Sequence, residues 1–243
     1  MIWHPIDARS EEGHVEWKRM RLGALGSSEF HKVITPATLK ISKQAMPLMY
    51  RLLAERITGQ EVENFSNEWM DRGVELEDQA VRAYENYSEV ETSIGGYFIS
   101  EAGTIGCSPD RLIGEDGDLE IKCPLIQTQI AYALEGLGDD YKLQLQGRMM
   151  LHGRPWIDVF SYHPLLFIPP LRVYRDDKTI NIMRPVVEKF AEQLLESEVR
   201  LNQKYGPFTK PQPEPEQPEG DFDVTDAEVL EMLRSGALGG QNA

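Results

Sequence analysis

The residues best suited to chemistry lie at 103–124, GTIGCSPDRLIGEDGDLEIKCP. Two strand-like runs, 103–113 and 118–124, flank Glu115-Asp116-Gly117, and Asp-Gly between alternating apolar residues predicts a β-hairpin. In the second run Leu119, Ile121 and Cys123 alternate with Glu120 and Lys122. Side chains two apart on a strand share a face, so Glu120 and Lys122 point one way, Leu119 and Ile121 the other. Asp110, on the partner strand, is expected to join them across the hairpin. Two carboxylates and an ammonium would then converge at the open side of a small sheet. Carboxylate oxygens suit Mg²⁺, which keeps several waters and completes its shell with phosphate oxygens. Lys122 would take a water's proton or offset charge on a phosphorane. The same alternation also describes an ordinary half-solvated strand, so spacing alone leaves both readings open.

The elements that must position these groups follow from periodicity and punctuation. Residues 16–22 predict a short amphipathic helix ended by Gly23. Gly26-Ser27-Ser28-Glu29 reads as a helix N-cap, with Phe30, Val33 and Ile34 inward. Free amides and hydroxyls at such a terminus bind phosphate, and Arg21 just upstream offers a bidentate fork. Residues 46–59 predict a core helix through Met49, Leu52, Leu53 and Ile57, capped by Gly59. A longer helix is expected at 67–87, with Trp69, Gly73, Leu76, Ala80 and Ala83 inward. Residues 90–99 supply one or two strands with a turn or bulge at Gly95-Gly96. After the hairpin come helices at 126–135 and 139–151, strands at 156–162 and 171–174, and a closing helix at 184–203 with Pro185 in its first turn.

Bulk composition narrows the class. A chain of 243 residues that is 41% hydrophobic can bury one large core. No run approaches the ~20 apolar residues of a membrane span, and the N-terminus lacks the pattern of a secretory leader. Two cysteines, Cys107 and Cys123, fit a reducing compartment and read as packing residues. The five histidines are scattered, never at i, i+4, and support no histidine metal site. Net charge is −15; residues 211–243 hold eight acids against Arg234, leaving −8 on the body. Non-specific DNA affinity should then be weak, and such a protein would gain from encircling DNA. Residues 1–208 are expected to form one domain. Residues 209–243 read as an acidic Pro/Glu linker with a short helix at 224–233, mobile or docked to a partner.

Pro109-Asp110, nine residues, then Glu120-Ile121-Lys122 resembles the PD-(D/E)xK nuclease signature. CSPDRLIG followed by LEIKCP, RLGALGSSEFHKVI, RGVELEDQA and Tyr141-x-x-Gln144-x-Gln146 together resemble the phage λ exonuclease and YqaJ-type viral recombinase family across most of residues 15–200. The resemblance implies an α/β, restriction-endonuclease-like core: a central mixed β-sheet flanked by helices. It implies a 5′→3′ exonuclease on linear double-stranded DNA that releases mononucleotides and leaves 3′ single strands for recombination. Two Mg²⁺ ions, replaceable by Mn²⁺, would sit on Asp110, Glu120 and the Ile121 main-chain carbonyl, with Glu77 as third carboxylate and Lys122 as base or charge stabiliser. Arg21, Ser28 and Ser108 would bind the terminal 5′-phosphate, with Gln144 beside it and Tyr141 and Gln146 as further contacts. A homotrimeric ring, a single-strand annealing protein as partner, and a phage or prophage origin in a bacterial cytoplasm are also implied. The alternatives are a PD-(D/E)xK endonuclease and a DNA-end-binding scaffold without turnover. An iron–sulfur nuclease is disfavoured, because two cysteines cannot supply four ligands.

Overall fold

The computed structural model describes residues 1–62, 68–136, 138–206 and 208. In chain order the strands are β1 (Ile2–His4), β2 (Leu25–Gly26), β3 (Ser93–Ile94), β4 (Tyr97–Ile99), β5 (Ile105–Cys107), β6 (Arg111–Ile113), β7 (Gly117–Lys122), β8 (Trp156–Ser161) and β9 (Leu171–Tyr174). The helices are α1 (Glu11–Arg21), α2 (Phe30–Val33), α3 (Ala45–Thr58), α4 (Glu68–Ser88), α5 (Ile126–Glu135), α6 (Asp139–His152) and α7 (Asp177–Tyr205). Among the described residues the strands form two mixed sheets, β1-β4-β5-β2 and β3-β6-β7-β8-β9, flanked by helices. The expected mixed sheet is the second of these. The acidic tail, and the inward faces expected of Trp69 and Gly73, lie outside the described residues.

The hairpin forms as expected, with Arg111↔Leu119, Leu112↔Asp118 and Ile113↔Gly117 paired antiparallel. The expectation of one continuous strand over 103–113 is corrected: β5 and β6 belong to different sheets. Residues 90–99 divide in the same way, β3 into one sheet and β4 into the other. Both chains switch sheets at one crossing. Pro109 offers no N–H to a ladder, and a Cβ on Gly95 would lie 1.7 Å from the Pro109 carbonyl oxygen. Only glycine admits that approach, and it leaves Ser108 and Asp110 on either side of the switch.

Helix termini depart from expectation where side-chain caps decide them. α1 starts at Glu11, five residues earlier than periodicity suggested, because the Ser10 hydroxyl accepts from the Gly13 amide at 3.1 Å. The Ser27–Glu29 segment is a tight 3₁₀ turn without a side-chain cap. α7 starts at Asp177, capped by Asp176, which accepts from the Lys178 amide at 3.0 Å. Pro185 is therefore interior to α7. It is exposed, and so is Asn181, whose carbonyl loses its helical partner to the proline ring. That carbonyl is left on the solvent side, which is why the helix continues.

Three apolar clusters fix the layers. Phe30, Leu48, Met49, Leu52, Leu143, Met183, Val187 and Phe190 join α2, α3, α6 and α7. Ala80, Val81 and Tyr84 of α4 pack on Leu119, Ile121 and Phe160. Leu145 and Met149 of α6 pack on Ile157 and Val159 of β8. α6 thus touches helices on one side and the five-stranded sheet on the other. At Gly147 a Cβ would meet the Phe30 ring at 2.5 Å, so α6 and α2 sit against each other.

Candidate active site

β7 has one apolar face, toward α4, and one charged face, toward α6. The charged face carries Asp118, Glu120 and Lys122 at alternate positions. Opposite it, α6 carries Tyr141, Gln144, Arg148 and His152. Four residues of helix advance about 6 Å and two residues of strand about 6.6 Å, so the two series stay in step over several rungs. Lys122 lies 5.1 Å from the Tyr141 ring centroid, and Tyr141 meets the Tyr132 hydroxyl at 2.9 Å. Gln144 Nε2 donates to Glu120 Oε1 at 2.9 Å. Arg148 pairs with Glu120 Oε2 through Nη1 and with Asp118 Oδ2 through Nε at 2.8 Å. His152 Nε2 closes the series on Asp118 Oδ2 at 2.8 Å. The Arg154 amide donates to His152 Nδ1 at 3.0 Å, which leaves Nε2 as the protonated nitrogen. Burial lowers the His152 pKa, so the ring is neutral.

Asp110 joins from the sheet crossing. Its Oδ2 accepts from the Ile121 amide at 2.6 Å, just past the Arg111↔Leu119 pair where the β6 ladder ends. The N–H and C=O of one strand residue point to the same edge, so the Ile121 carbonyl is directed toward Asp110 as well. Lys122 pairs with Glu120 Oε1. Loss of solvent and the neighbouring Glu120 charge push Asp110 up to about 8. Burial works upward on Glu120 too, but Arg148 and Lys122 outweigh it and bring it down to about 2. Two carboxylates and a main-chain carbonyl at one edge form a hard-oxygen set that fits Mg²⁺ with water completing its shell. Among the described residues no three acids, histidines or cysteines gather as a ready metal cluster.

Of the other assigned residues, some meet and some do not. The Arg21 guanidinium lies 4.1 Å over the Trp17 ring. Trp17 Nε1 donates to Ser108 Oγ at 2.9 Å, and Ser108 in turn donates to the Gly96 carbonyl at 3.2 Å. Ser28 is exposed on the 3₁₀ turn. Gly26 and Gly106 pair in parallel, so Ser28 and Ser108 each lie two residues past that pair, at the carboxyl ends of neighbouring strands, where open α/β sheets bind ligands. Glu77 lies on α4, raised by burial, with Arg9 and Arg111 acting against that rise. Its helix packs on the opposite face of β7. Gln146 is also turned away: it donates to the Tyr174 carbonyl at 2.9 Å and accepts from the Asp176 amide at 2.7 Å, tying α6 to β9 and α7. Sequence reasoning missed Trp17, Asp118, Arg148 and His152. The signal was spacing: Arg148 and His152 follow Gln144 at i+4 and i+8, Asp118 precedes Glu120 by two, and Trp17 precedes Arg21 by four.

This fold is a nuclease fold. An alkaline exonuclease from Laribacter hongkongensis is 30% identical with a TM-score of 0.70, over 78% of this chain and 97% of that one. The same exonuclease in complex with dAMP matches at 31% identity, with the same TM-score and coverage. A phage-related exonuclease from Haemophilus somnus shares the fold at 17% identity and TM-score 0.53, over 72% of this chain and 96% of that one. Residues 16–155 match the YqaJ-like viral recombinase domain, more than half of the chain, and the chain belongs to that family. The sequence matches none of the curated proteins with which it was compared.

Proposed function

We propose that this protein is a Mg²⁺-dependent 5′→3′ exonuclease that degrades one strand of linear double-stranded DNA from a 5′-phosphorylated end. The observation that carries the reading is the meeting of Asp110 with the Ile121 main chain, beside the Lys122–Glu120 pair at the end of β7, with Ser108 two residues from Asp110. When bound, the divalent cation supplies Lewis acidity and a water of lowered pKa. Asp110 and Glu120 hold it, and Gln144 keeps the Glu120 carboxylate turned toward that edge. Lys122 exchanges its Glu120 partner for a phosphate oxygen and offsets charge there. Arg21, held flat on Trp17, and Ser108, held by the Trp17 indole, clamp the terminal phosphate together with Ser28, and this clamp sets polarity. Glu77 and Tyr141 act at the periphery. The dAMP complex of the Laribacter enzyme supports release of mononucleotides.

A net charge of −15 argues against retention by a basic exterior. A homotrimeric ring threaded by the duplex supplies retention by topology, and a single-strand annealing protein takes up the 3′ strand in a phage-type recombination carried out in the bacterial cytoplasm. The test is digestion of linear duplexes bearing 5′-phosphate or 5′-hydroxyl ends beside a covalently closed circle, with Mg²⁺ or EDTA. Mononucleotides from the phosphorylated linear substrate alone are expected, and none in EDTA. Nicking of the closed circle would replace the reading with an endonuclease. Retained end binding without cleavage would replace it with a scaffold. Arg21→Ala should erase the preference for phosphorylated ends, an effect of roughly 10–100-fold for one charged hydrogen-bonding group.

A further inference from the structure

The two oxygens of Glu120 have partners of different mobility. Oε2 is held by Arg148, whose side chain is 1% exposed and whose Nε pairs with Asp118, itself fully buried. Asp118 is backed by the neutral ring of His152. Oε1 is held by Gln144, which is half-buried, and by Lys122, whose side chain is 26% exposed. Lys122 has solvent to swing into; Arg148 is walled in by β7 and α6. Arg148 Nη1 also lies 3.5 Å from the main-chain oxygen of Ser108. One guanidinium therefore reaches Asp118, Glu120 and the strand end that carries Ser108.

We propose that Arg148 is a positioning residue that keeps Glu120 Oε2 and so presents Oε1 as the oxygen that meets the divalent cation, in a fixed relation to the 5′-phosphate serine. This rests on the reading of Glu120 as a metal ligand. A planar fork spans two carboxylates from one head, which the point charge of a lysine does not. Partners that orient a metal-ligating carboxylate from behind are worth about 10–100-fold in metal affinity or activity. Among the described residues Arg148 Nη2 and Asp118 Oδ1 are buried with no hydrogen-bond partner, a penalty a purely structural pair would avoid and an orienting one tolerates.

The experiment is calorimetric titration of the metal-free full-length protein with Mn²⁺, paired with steady-state cleavage of a 5′-phosphorylated duplex and a thermal midpoint. Arg148→Lys keeps the charge and loses the fork. We expect Mn²⁺ to bind about 10–100-fold more weakly to it, with kcat lowered in the same range and KM for the duplex unchanged. Asp118→Asn loosens Arg148 from behind and should give a smaller loss in the same direction; it decides alone if Arg148→Lys does not fold. Wild-type Mn²⁺ affinity and kcat in the folded variants would overturn the proposal, and so would a lowered thermal midpoint with unchanged Mn²⁺ affinity. A wild-type protein that neither binds Mn²⁺ nor cleaves DNA would overturn the nuclease reading itself. A wild type that does both, beside an unaffected Arg148→Lys, would overturn the positioning role alone.

Discussion

One strand, β7, carries two faces with opposite physics. Toward α4, Leu119 and Ile121 enter an apolar cluster, each stabilising by about 1.5–3 kcal/mol through burial. Toward α6, Asp118, Glu120 and Arg148 are buried just as deeply, yet Asp118 Oδ1 and Arg148 Nη2 lack hydrogen-bond partners, and such atoms cost about 1–3 kcal/mol each. The apolar face stabilises without an opposing cost; on the charged face the ion pairs of Arg148 and Lys122 work against desolvation and the orphaned atoms. A buried ion pair is weak ground for stability by itself, and the orienting role proposed for Arg148 gives this one a use.

The comparison is broken most sharply by a single substitution on each face. Lys122→Ala removes an ammonium from the charged face, and cleavage should fall by roughly 10²–10⁴-fold while DNA ends and Mg²⁺ still bind. Gel-shift and calorimetric measurements beside the digestion separate those effects, and near-normal turnover would strip Lys122 of its role. Leu119→Ala, one face over, should lower unfolding free energy by about 2–5 kcal/mol through a cavity. Cleavage per folded molecule should be unchanged. If Leu119→Ala instead slowed chemistry at constant stability, the two faces would not be separable.

How much of this was legible beforehand follows from the same faces. The hairpin, α5 and β9 were readable because turn residues and short-range periodicity determine them. Asp110, Glu120 and Lys122 were readable from alternation, and the resemblance added Gln144. Arg148 was not, because α6 buries three sides at once: Leu143 and Met150 against helices, Leu145 and Met149 against β8, and Gln144, Arg148 and His152 against β7. Such a helix shows no single apolar stripe, so a charged residue in it reads as ordinary surface. The break between β5 and β6 was hidden for a different reason. It depends on Gly95 meeting the Pro109 carbonyl across more than a dozen residues, a contact no local window contains. The extent of α7 was hidden because Pro185 reads as a first-turn residue, whereas the Asp176 cap sets the start seven residues upstream of Arg184.

A last measurement sharpens the comparison through stability and needs no cleavage assay. In the metal-free protein Asp110 titrates at about 8, above the 3.8 of a free carboxyl. The folded state then binds a proton that the unfolded chain has released, and stability contributed by that proton is complete below about pH 4 and lost as pH rises toward 8. Thermal midpoints in EDTA should therefore decline between pH 5 and pH 8 in the wild type. In Asp110→Asn, which cannot ionise, that part of the decline should vanish, so the two curves lie closest in acid, where Asp110 is protonated, and separate as pH rises toward 8. Glu120 works in the other direction. Held at about 2 by Arg148 and Lys122 against the raising effect of burial, it contributes stability above pH 4.5 that is lost only in stronger acid. The slope between pH 5 and 8 thus isolates the acid at the sheet crossing from the one on β7. A wild-type slope no steeper than that of Asp110→Asn would mean that the Asp110 carboxyl is solvated, and that the edge where it meets the Ile121 amide is open to water throughout.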